Sequence, residues 1–411
     1  MSELSLRRFN FSLRLLILSW IYLGLFRIHF FQSLANVLYF IPYMLILFIF
    51  LYSVVQLRQY MIKPYLFILL NFIFVIFQIA HLYRSDIGVI TAIYGYCLYM
   101  LPVNLISLSR IIAHTNSVHF FAKSILYATF PNLLMALLQT LVPNSRYSRG
   151  IIDESNATTI GGYSRAYGTF SSPAGYAIFL SILTACVLIF LANQSLSIRF
   201  IFYVQLVVLY AVSGSRTVFF SLAIILISKF ISSIFFEKQK LLAVTLKALL
   251  SLFIVIIVTS QSLNIGPLNA FLTRVSIART EENTVMRIFD NVFGFTEFFY
   301  QPFFGSGLGA YAIGTVGYTN RAQWIELDLI RNIYELGTIF GVSWIAFRFS
   351  LFIGMTTISL RRCNSQALIL FSSIAPYLLF GVISGQSTIS IGCWLVIMFA
   401  NSSLIAYRKN D

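Results

Sequence analysis

Residues 28–57 read IHFFQSLANVLYFIPYMLILFIFLYSVVQL, with no charged side chain from end to end. About 20 apolar residues in a helix cross the hydrocarbon core of a bilayer, and lipid offers the backbone no hydrogen-bond partner outside the segment itself. The stretch therefore reads as a membrane helix. Charge-free runs of the same kind recur at 64–83, 87–109, 124–145, 166–198, 248–273 and 363–407. Only 10% of the 411 residues are charged and 17% are aromatic, whereas a water-soluble chain carries about a quarter charged residues. The composition excludes a soluble enzyme and leaves no polar segment large enough to fold alone.

The sequence predicts an all-α, polytopic integral membrane protein with about twelve spans: 9–27, 34–56, 64–83, 88–110, 119–142, 173–192, 198–213, 217–236, 241–260, 330–358, 367–384 and 388–407. It forms a single transmembrane domain over 1–411. The start, MSELSLRRFNFSLRLLILSW, has the basic-then-apolar order of a secretory signal without a small-residue cleavage site, so it is read as an uncleaved first helix. With an even number of spans and the amino terminus inside, sixteen Lys and Arg residues fall at cytoplasmic ends and eleven outside, while ten of thirteen acids lie outside. That is the positive-inside asymmetry, and it puts both termini in the cytoplasm. The net charge of +15 sits in short clusters between spans and forms no continuous basic face, so the partner it implies is the lipid bilayer and not nucleic acid. Cys97, Cys186, Cys363 and Cys393 are scattered singly, and the four histidines show no ligand spacing, so neither a disulfide framework nor a metal site is expected.

Two outer segments are long. One covers 143–172 and the other 261–329, and loops of that length are either functional or disordered. Composition favours function. Between Thr284 and Gln301, Val285, Ile288, Phe289, Val292, Phe293 and Phe299 recur at helical spacing opposite Arg287, Asp290, Asn291 and Glu297, which predicts an amphipathic helix on the outer membrane surface. After Pro302, the Gly305-Ser306-Gly307-Leu308-Gly309 run requires positive φ or close backbone approach. It is no dinucleotide fingerprint, because no strand precedes it. Ser172-Pro173 pairs a capping hydroxyl with proline at the first helical position, a helix start.

The candidate functional residues gather on the outer side. Arg165, Arg216, Arg287, Arg321 and Arg331 are candidates for holding a diphosphate, since a guanidinium fork matches phosphate oxygens bidentately. Interfacial snorkelling or pairing with nearby acids is the plainer alternative. Glu326 and Asp328 are the candidate catalytic carboxylates, since acids at a membrane interior are functional by default. Asp328, Arg331 and Glu335 also share one helical face, where a salt-bridged strip would be structural. Asn71, Gln78, Asn104 and Gln205 could line a cavity, although buried amides more often bond neighbouring helices.

In these residues the chain resembles the O-antigen polymerase and O-antigen ligase superfamily of bacterial envelope glycosyltransferases. The likeness is carried, in order, by Arg165-Ala-Tyr-Gly-Thr-Phe-Ser-Ser-Pro173, Ser213-Gly-Ser-Arg216, Arg287, Pro302-x-x-Gly305-x-Gly307-x-Gly309 and Glu335-x-Gly337, over residues 120–360. It implies a membrane glycosyltransferase of the bacterial inner membrane that needs no metal or other cofactor. The implied donor is a glycan on undecaprenyl diphosphate at the periplasmic face, with Arg165 and Arg216 on the diphosphate. A flippase and a chain-length regulator of the same pathway are the implied partner proteins. Ligases of the superfamily carry a histidine nine residues before the Glu-x-Gly motif, where this chain has Glu326. The departure favours a polymerase of lipid-linked repeat units over transfer to lipid A core. A ligase for another acceptor, and a transporter or flippase of a polar solute, are the alternatives.

Overall fold

A computed structural model describes residues 3–26, 35–84, 87–115, 117–141, 159–160, 163–164, 166–170, 172–191, 194–213, 215–233, 236, 303–312, 328–381, 383 and 386–407. Apart from a two-residue antiparallel ladder pairing Thr159–Ile160 with Tyr163–Ser164, the regular structure there is helical. The helices are α1 (Glu3–Leu25), α2 (Ala35–Tyr39), α3 (Ile41–Gln56), α4 (Pro64–Tyr83), α5 (Val89–Tyr99), α6 (Ser109–Thr115), α7 (Ser117–Tyr127) and α8 (Thr129–Leu141). They continue as α9 (Pro173–Phe190), α10 (Leu196–Ser213), α11 (Arg216–Ser232), α12 (Asp328–Arg361), α13 (Ser365–Ser372), α14 (Ala375–Leu379) and α15 (Ser387–Tyr407).

Among the described residues, eight helical stretches are long and apolar enough to cross a membrane, from Val37–Gln56 to Ser387–Ala406. They coincide with eight of the twelve expected spans. Of the other four, 9–27 corresponds to α1, 217–236 to the shorter α11, and 367–384 to α13 and α14 in succession. The span expected at 241–260 lies outside the described residues, as do most of the two long outer segments and the amphipathic helix expected over 284–301.

Local chemistry explains the starts and the breaks. The Ser172 hydroxyl accepts the Gly175 N–H at 3.2 Å and Pro173 opens α9, as the sequence predicts. Asn364 caps α13 in the same manner, accepting the Ala367 N–H at 2.8 Å. Two expected spans are not continuous helices. Pro376 cannot donate to the carbonyl a turn back, and the chain breaks between α13 and α14 just before it. Inside α12, Gly337 adopts φ 79° and ψ 173°, which splits the helix after two turns.

The helices form one enclosed body. Of the eight long apolar helices, those at α9 and α15 are the most enclosed and α4 is the most exposed. Helix ends sort onto two opposite faces. On one, the Tyr52 hydroxyl meets Ser5 O at 3.3 Å, Ile62 N–H donates to Ser107 O, and the Arg362 guanidinium donates to Leu404 O at 2.9 Å. On the other, the Thr169 hydroxyl donates to Ile21 O at 2.7 Å and the Trp20 indole to Thr388 O at 2.8 Å. The described helices thus alternate in direction. Polar side chains serve packing: Asn71 bonds Asn104 and accepts from the Tyr96 hydroxyl, across α4, α5 and the 3₁₀ run Pro102–Leu108.

Candidate functional site

The motifs singled out in the sequence form two buried assemblies on the second of these faces. The first is built around residues 166–170, of which Ala166, Tyr167, Thr169 and Phe170 are all buried. A buried loop must satisfy its backbone, and here two side chains of α8 do so. Gln139 Oε1 accepts the N–H groups of Tyr167 and Gly168, each at 2.8 Å, while Gln139 Nε2 donates to Gly168 O at 2.9 Å. Asn132 Oδ1 accepts Thr169 N–H at 3.0 Å. Burial raises the Tyr167 phenol above its ordinary pKa, so it stays neutral.

This loop is tied to the start of α11. Ala166 N–H donates to Val212 O at 3.3 Å, and Ser213 and Ser215 turn the chain from α10 into Arg216, the first residue of α11. The Arg165 and Arg216 motifs, about fifty residues apart in sequence, are thereby neighbours in the backbone. The Arg165 position and the Arg216 side chain lie outside the described residues, as do Arg287, Arg321 and Glu326.

The second assembly joins residues 303–312 to the broken helix α12. Splitting a helix leaves terminal carbonyls without partners, and the glycine segment supplies them. Ser306 N–H donates to Tyr334 O at 2.9 Å and Gly307 N–H to Glu335 O at 3.0 Å. Gly305 and Gly337 face each other so closely that a β-carbon on Gly305 would lie 2.3 Å from Gly337 N. Gly305, Gly307 and Gly309 all take positive φ, at 64°, 92° and 85°, as the sequence requires.

The far side of the segment packs on α4 and α5. Gln78 Oε1 accepts Leu308 N–H at 3.0 Å and its amide donates to Leu308 O at 3.2 Å and Ala92 O at 2.8 Å. His81 Nε2 lies 2.9 Å from Phe304 O, which requires its proton on that nitrogen. Gly95, whose missing side chain leaves room for the Leu308 backbone, lies about 9 Å along the helix axis from Val89 at 1.5 Å per residue. Non-helical backbone therefore reaches well into the helical layer, where it is tolerated because protein surrounds it.

Asp328 anchors the amino end of α12. It is fully buried, pairs through one oxygen with Arg331 a turn later, and pairs through the other with Arg348, also fully buried. Arg348 also donates to carbonyls at and just beyond the end of α14: Nε to Leu378 O at 2.7 Å, and Nη2 to Tyr377 O and Gly381 O at 3.4 Å. Both Asp328 oxygens pair with arginines, so the carboxylate expected as a catalytic candidate stands in a buried ion-pair network. Arg331, expected as a phosphate ligand, holds Asp328 with Nη2. Glu335 does not complete the expected salt-bridged strip; its Oε1 accepts Tyr311 N–H at 2.9 Å instead.

The two assemblies meet through α15 and α14. Trp20 packs edge-on against Phe170 while bonding Thr388, and Gly175 abuts the Thr388 side chain. Tyr377, whose carbonyl faces Arg348, has its hydroxyl 3.3 Å from Ser181 of α9. Sequence reasoning assigns Arg348, Gln139 and Asn132 no part in the site. The signal for Arg348 was present, since a charge inside a span requires a partner. No group of His, Cys, Asp and Glu suited to a metal occurs among the described residues. Compared with family models, curated proteins and solved structures, the chain finds no match in any of the three.

Proposed function

We propose that this chain is a bacterial inner-membrane glycosyltransferase that polymerises lipid-linked oligosaccharide repeat units. It moves a growing glycan from undecaprenyl diphosphate onto the sugar of the next lipid-linked unit at the periplasmic face. The observation that supports this most is the Ala166–Val212 hydrogen bond, which makes neighbours of the Arg165 and Arg216 motifs. Two arginine-bearing motifs that meet at one helix start suit a diphosphate leaving group, whose charge grows as the glycosidic bond breaks. Such a donor is already activated, so the protein has only to hold the leaving group, orient the acceptor hydroxyl and accept its proton. Glu326 is the proposed proton acceptor.

Orientation follows the charge asymmetry, with both termini cytoplasmic and the two assemblies facing the periplasm. Purified protein given undecaprenyl-diphosphate-linked repeat units should yield a ladder of products, with free undecaprenyl diphosphate released at each step. Absence of any product longer than one unit would reject polymerisation. A ligase for another acceptor would yield single transfers only.

A transporter of a polar solute is the second reading, favoured by one feature. The break at Gly337, close to the buried charges of α12, is of the kind seen where broken helices meet a substrate. Uptake of lipid-linked sugar into proteoliposomes without any change in glycan length would select it.

A further inference from the structure

The turn that leads into α4 carries exposed cations on the face opposite the two assemblies. Arg58 to Tyr60 form a single 3₁₀ turn, and Lys63 then takes left-handed backbone, φ 43° and ψ 53°, immediately before Pro64 opens α4. That conformation is unfavourable for any residue with a β-carbon and natural for glycine, so lysine is held here against its backbone preference. Two contacts join the turn to α6 and the 3₁₀ run before it. Ile62 N–H donates to Ser107 O at 2.8 Å, and the Tyr60 ring meets the His114 ring edge-on at 5.8 Å. Arg110 stands four residues before His114, on the same side of α6. Arg58, Lys63 and Arg110 are thus borne by two short segments packed together, and all three are exposed. Among the described residues none of the three is in an ion pair.

These cations continue into an apolar strip. The Arg58 guanidinium lies over the Tyr65 ring, 4.1 Å from its centroid, and Tyr65 is itself exposed in the first turn of α4. Leu69, Phe72, Ile76 and Ile79 follow it at alternating spacings of four and three, all exposed on one side of the helix. From Tyr65 to Ile79 the strip runs about 21 Å at 1.5 Å per residue, more than half of the roughly 30 Å hydrocarbon core. A cation seated on an aromatic ring at the start of a membrane helix lies at headgroup depth, and the strip beyond it lies at acyl depth. We propose that Arg58, Lys63 and Arg110, with the Tyr65–Ile79 strip of α4, form a site for an anionic phospholipid, its phosphate on the cations and one acyl chain along the helix. A free phosphate would make no use of the strip. A zwitterionic lipid would bring its ammonium group to three cations with no paired carboxylate to receive it. A headgroup with no amine, as in phosphatidylglycerol, meets neither objection.

Native mass spectrometry of the purified full chain in mixtures of phosphatidylglycerol and phosphatidylcholine with identical acyl chains counts the bound lipid. Thermal unfolding with either lipid, or with inorganic phosphate, measures its effect. One phosphatidylglycerol should remain bound after the other lipids are stripped and should raise the unfolding temperature, while phosphatidylcholine and inorganic phosphate do neither. Arg58→Gln and Lys63→Gly should each weaken its retention roughly fivefold, and about twenty-five-fold together, the contribution of one cation each at an anionic surface. Lys63→Gly also relieves the left-handed strain, so lipid loss in a variant that without lipid unfolds no earlier than wild type is not a folding failure. Arg361→Gln removes an exposed cation at the end of α12 on the same face and should change nothing. Equal retention of both lipids, stabilisation by inorganic phosphate, an equal loss in Arg361→Gln, or a dimer that carries no lipid would each overturn the site. None of these outcomes bears on the glycosyl-transfer reading, which product ladders test separately.

Discussion

Gly305 and Gly337 lie backbone against backbone, and a β-carbon added to either would come within 2.5 Å of the other's amide nitrogen. Both also hold positive φ. Gly305→Ala or Gly337→Ala should therefore destabilise the protein by about 2–4 kcal/mol, combining overpacking with left-handed strain. Thermal unfolding in detergent checks this. Gly354 is the control: it sits in α12 with nothing near its absent β-carbon, so Gly354→Ala should be neutral or stabilise by up to ~1 kcal/mol.

The Asp328 carboxylate balances two buried guanidiniums, which makes substitutions on the two sides unequal. Asp328→Asn leaves Arg331 and Arg348 as uncompensated buried charges and should cost about 3–5 kcal/mol. Arg348→Met leaves a one-to-one pair and should cost less. The double variant Asp328→Asn with Arg348→Met should fall short of the sum of the two, a coupling that denaturant titration of the full cycle measures. Strict additivity would show that the pair does not interact.

Gln139 satisfies three backbone groups of the 166–170 loop by itself. Gln139→Leu preserves bulk but strands two N–H groups and a carbonyl, so the loop should open. Hydrogen exchange read by mass spectrometry should show loss of protection at Tyr167 and Gly168 of at least about tenfold, equal to 1.4 kcal/mol of local stability. Unchanged exchange there would mean that burial alone holds the loop.

Arg165→Ala and Arg216→Ala should each abolish the product ladder while leaving protein yield and unfolding temperature near wild type. Lysine should rescue poorly, because a point charge does not replace the planar fork. Full activity in both alanine variants would remove these arginines from the diphosphate site.

Cys363 is the exposed cysteine, while Cys97, Cys186 and Cys393 are buried. It follows Arg361 and Arg362 on the face assigned to the cytoplasm, so the natural chain carries its own topological marker. A membrane-impermeant maleimide should fail to label intact cells and should label once the membrane is permeabilised. Labelling of intact cells would invert the orientation.

Much of this architecture is legible in the sequence because its causes are local. The Ser172-Pro173 start and the Gly305, Gly307 and Gly309 conformations depend on single residues and their neighbours, and the spans on runs of apolar side chains. The break in α12 was harder to read: Gly337 is visible, but a glycine in a membrane helix usually stays helical, and what opens it is Gly305, thirty-two residues earlier in the chain. Arg348 finds Asp328 only because α12 is split between them. Spacing rules for continuous helices place Asp328, Arg331 and Glu335 in one strip, and the geometry redistributes them to an ion pair and a backbone contact. Asn132 and Gln139 carry no signal at all, since the buried loop that needs them is far along the chain.

The tie between Gln78 and Leu308 spans 230 residues, which has a consequence for biogenesis. At a translation rate of about 5–20 residues per second, α4 and α5 wait roughly 10–50 s in the membrane before residue 308 exists. During that interval the Gln78 amide has the Ala92 carbonyl of the adjacent helix, only 14 residues on, but its carbonyl oxygen still lacks the Leu308 amide. The Trp20 indole waits longer, for a partner 368 residues downstream. The bundle is therefore closed by its carboxyl-terminal third, and nascent chains truncated before residue 303 should be recognised by membrane quality-control proteases although most of their spans are already inserted.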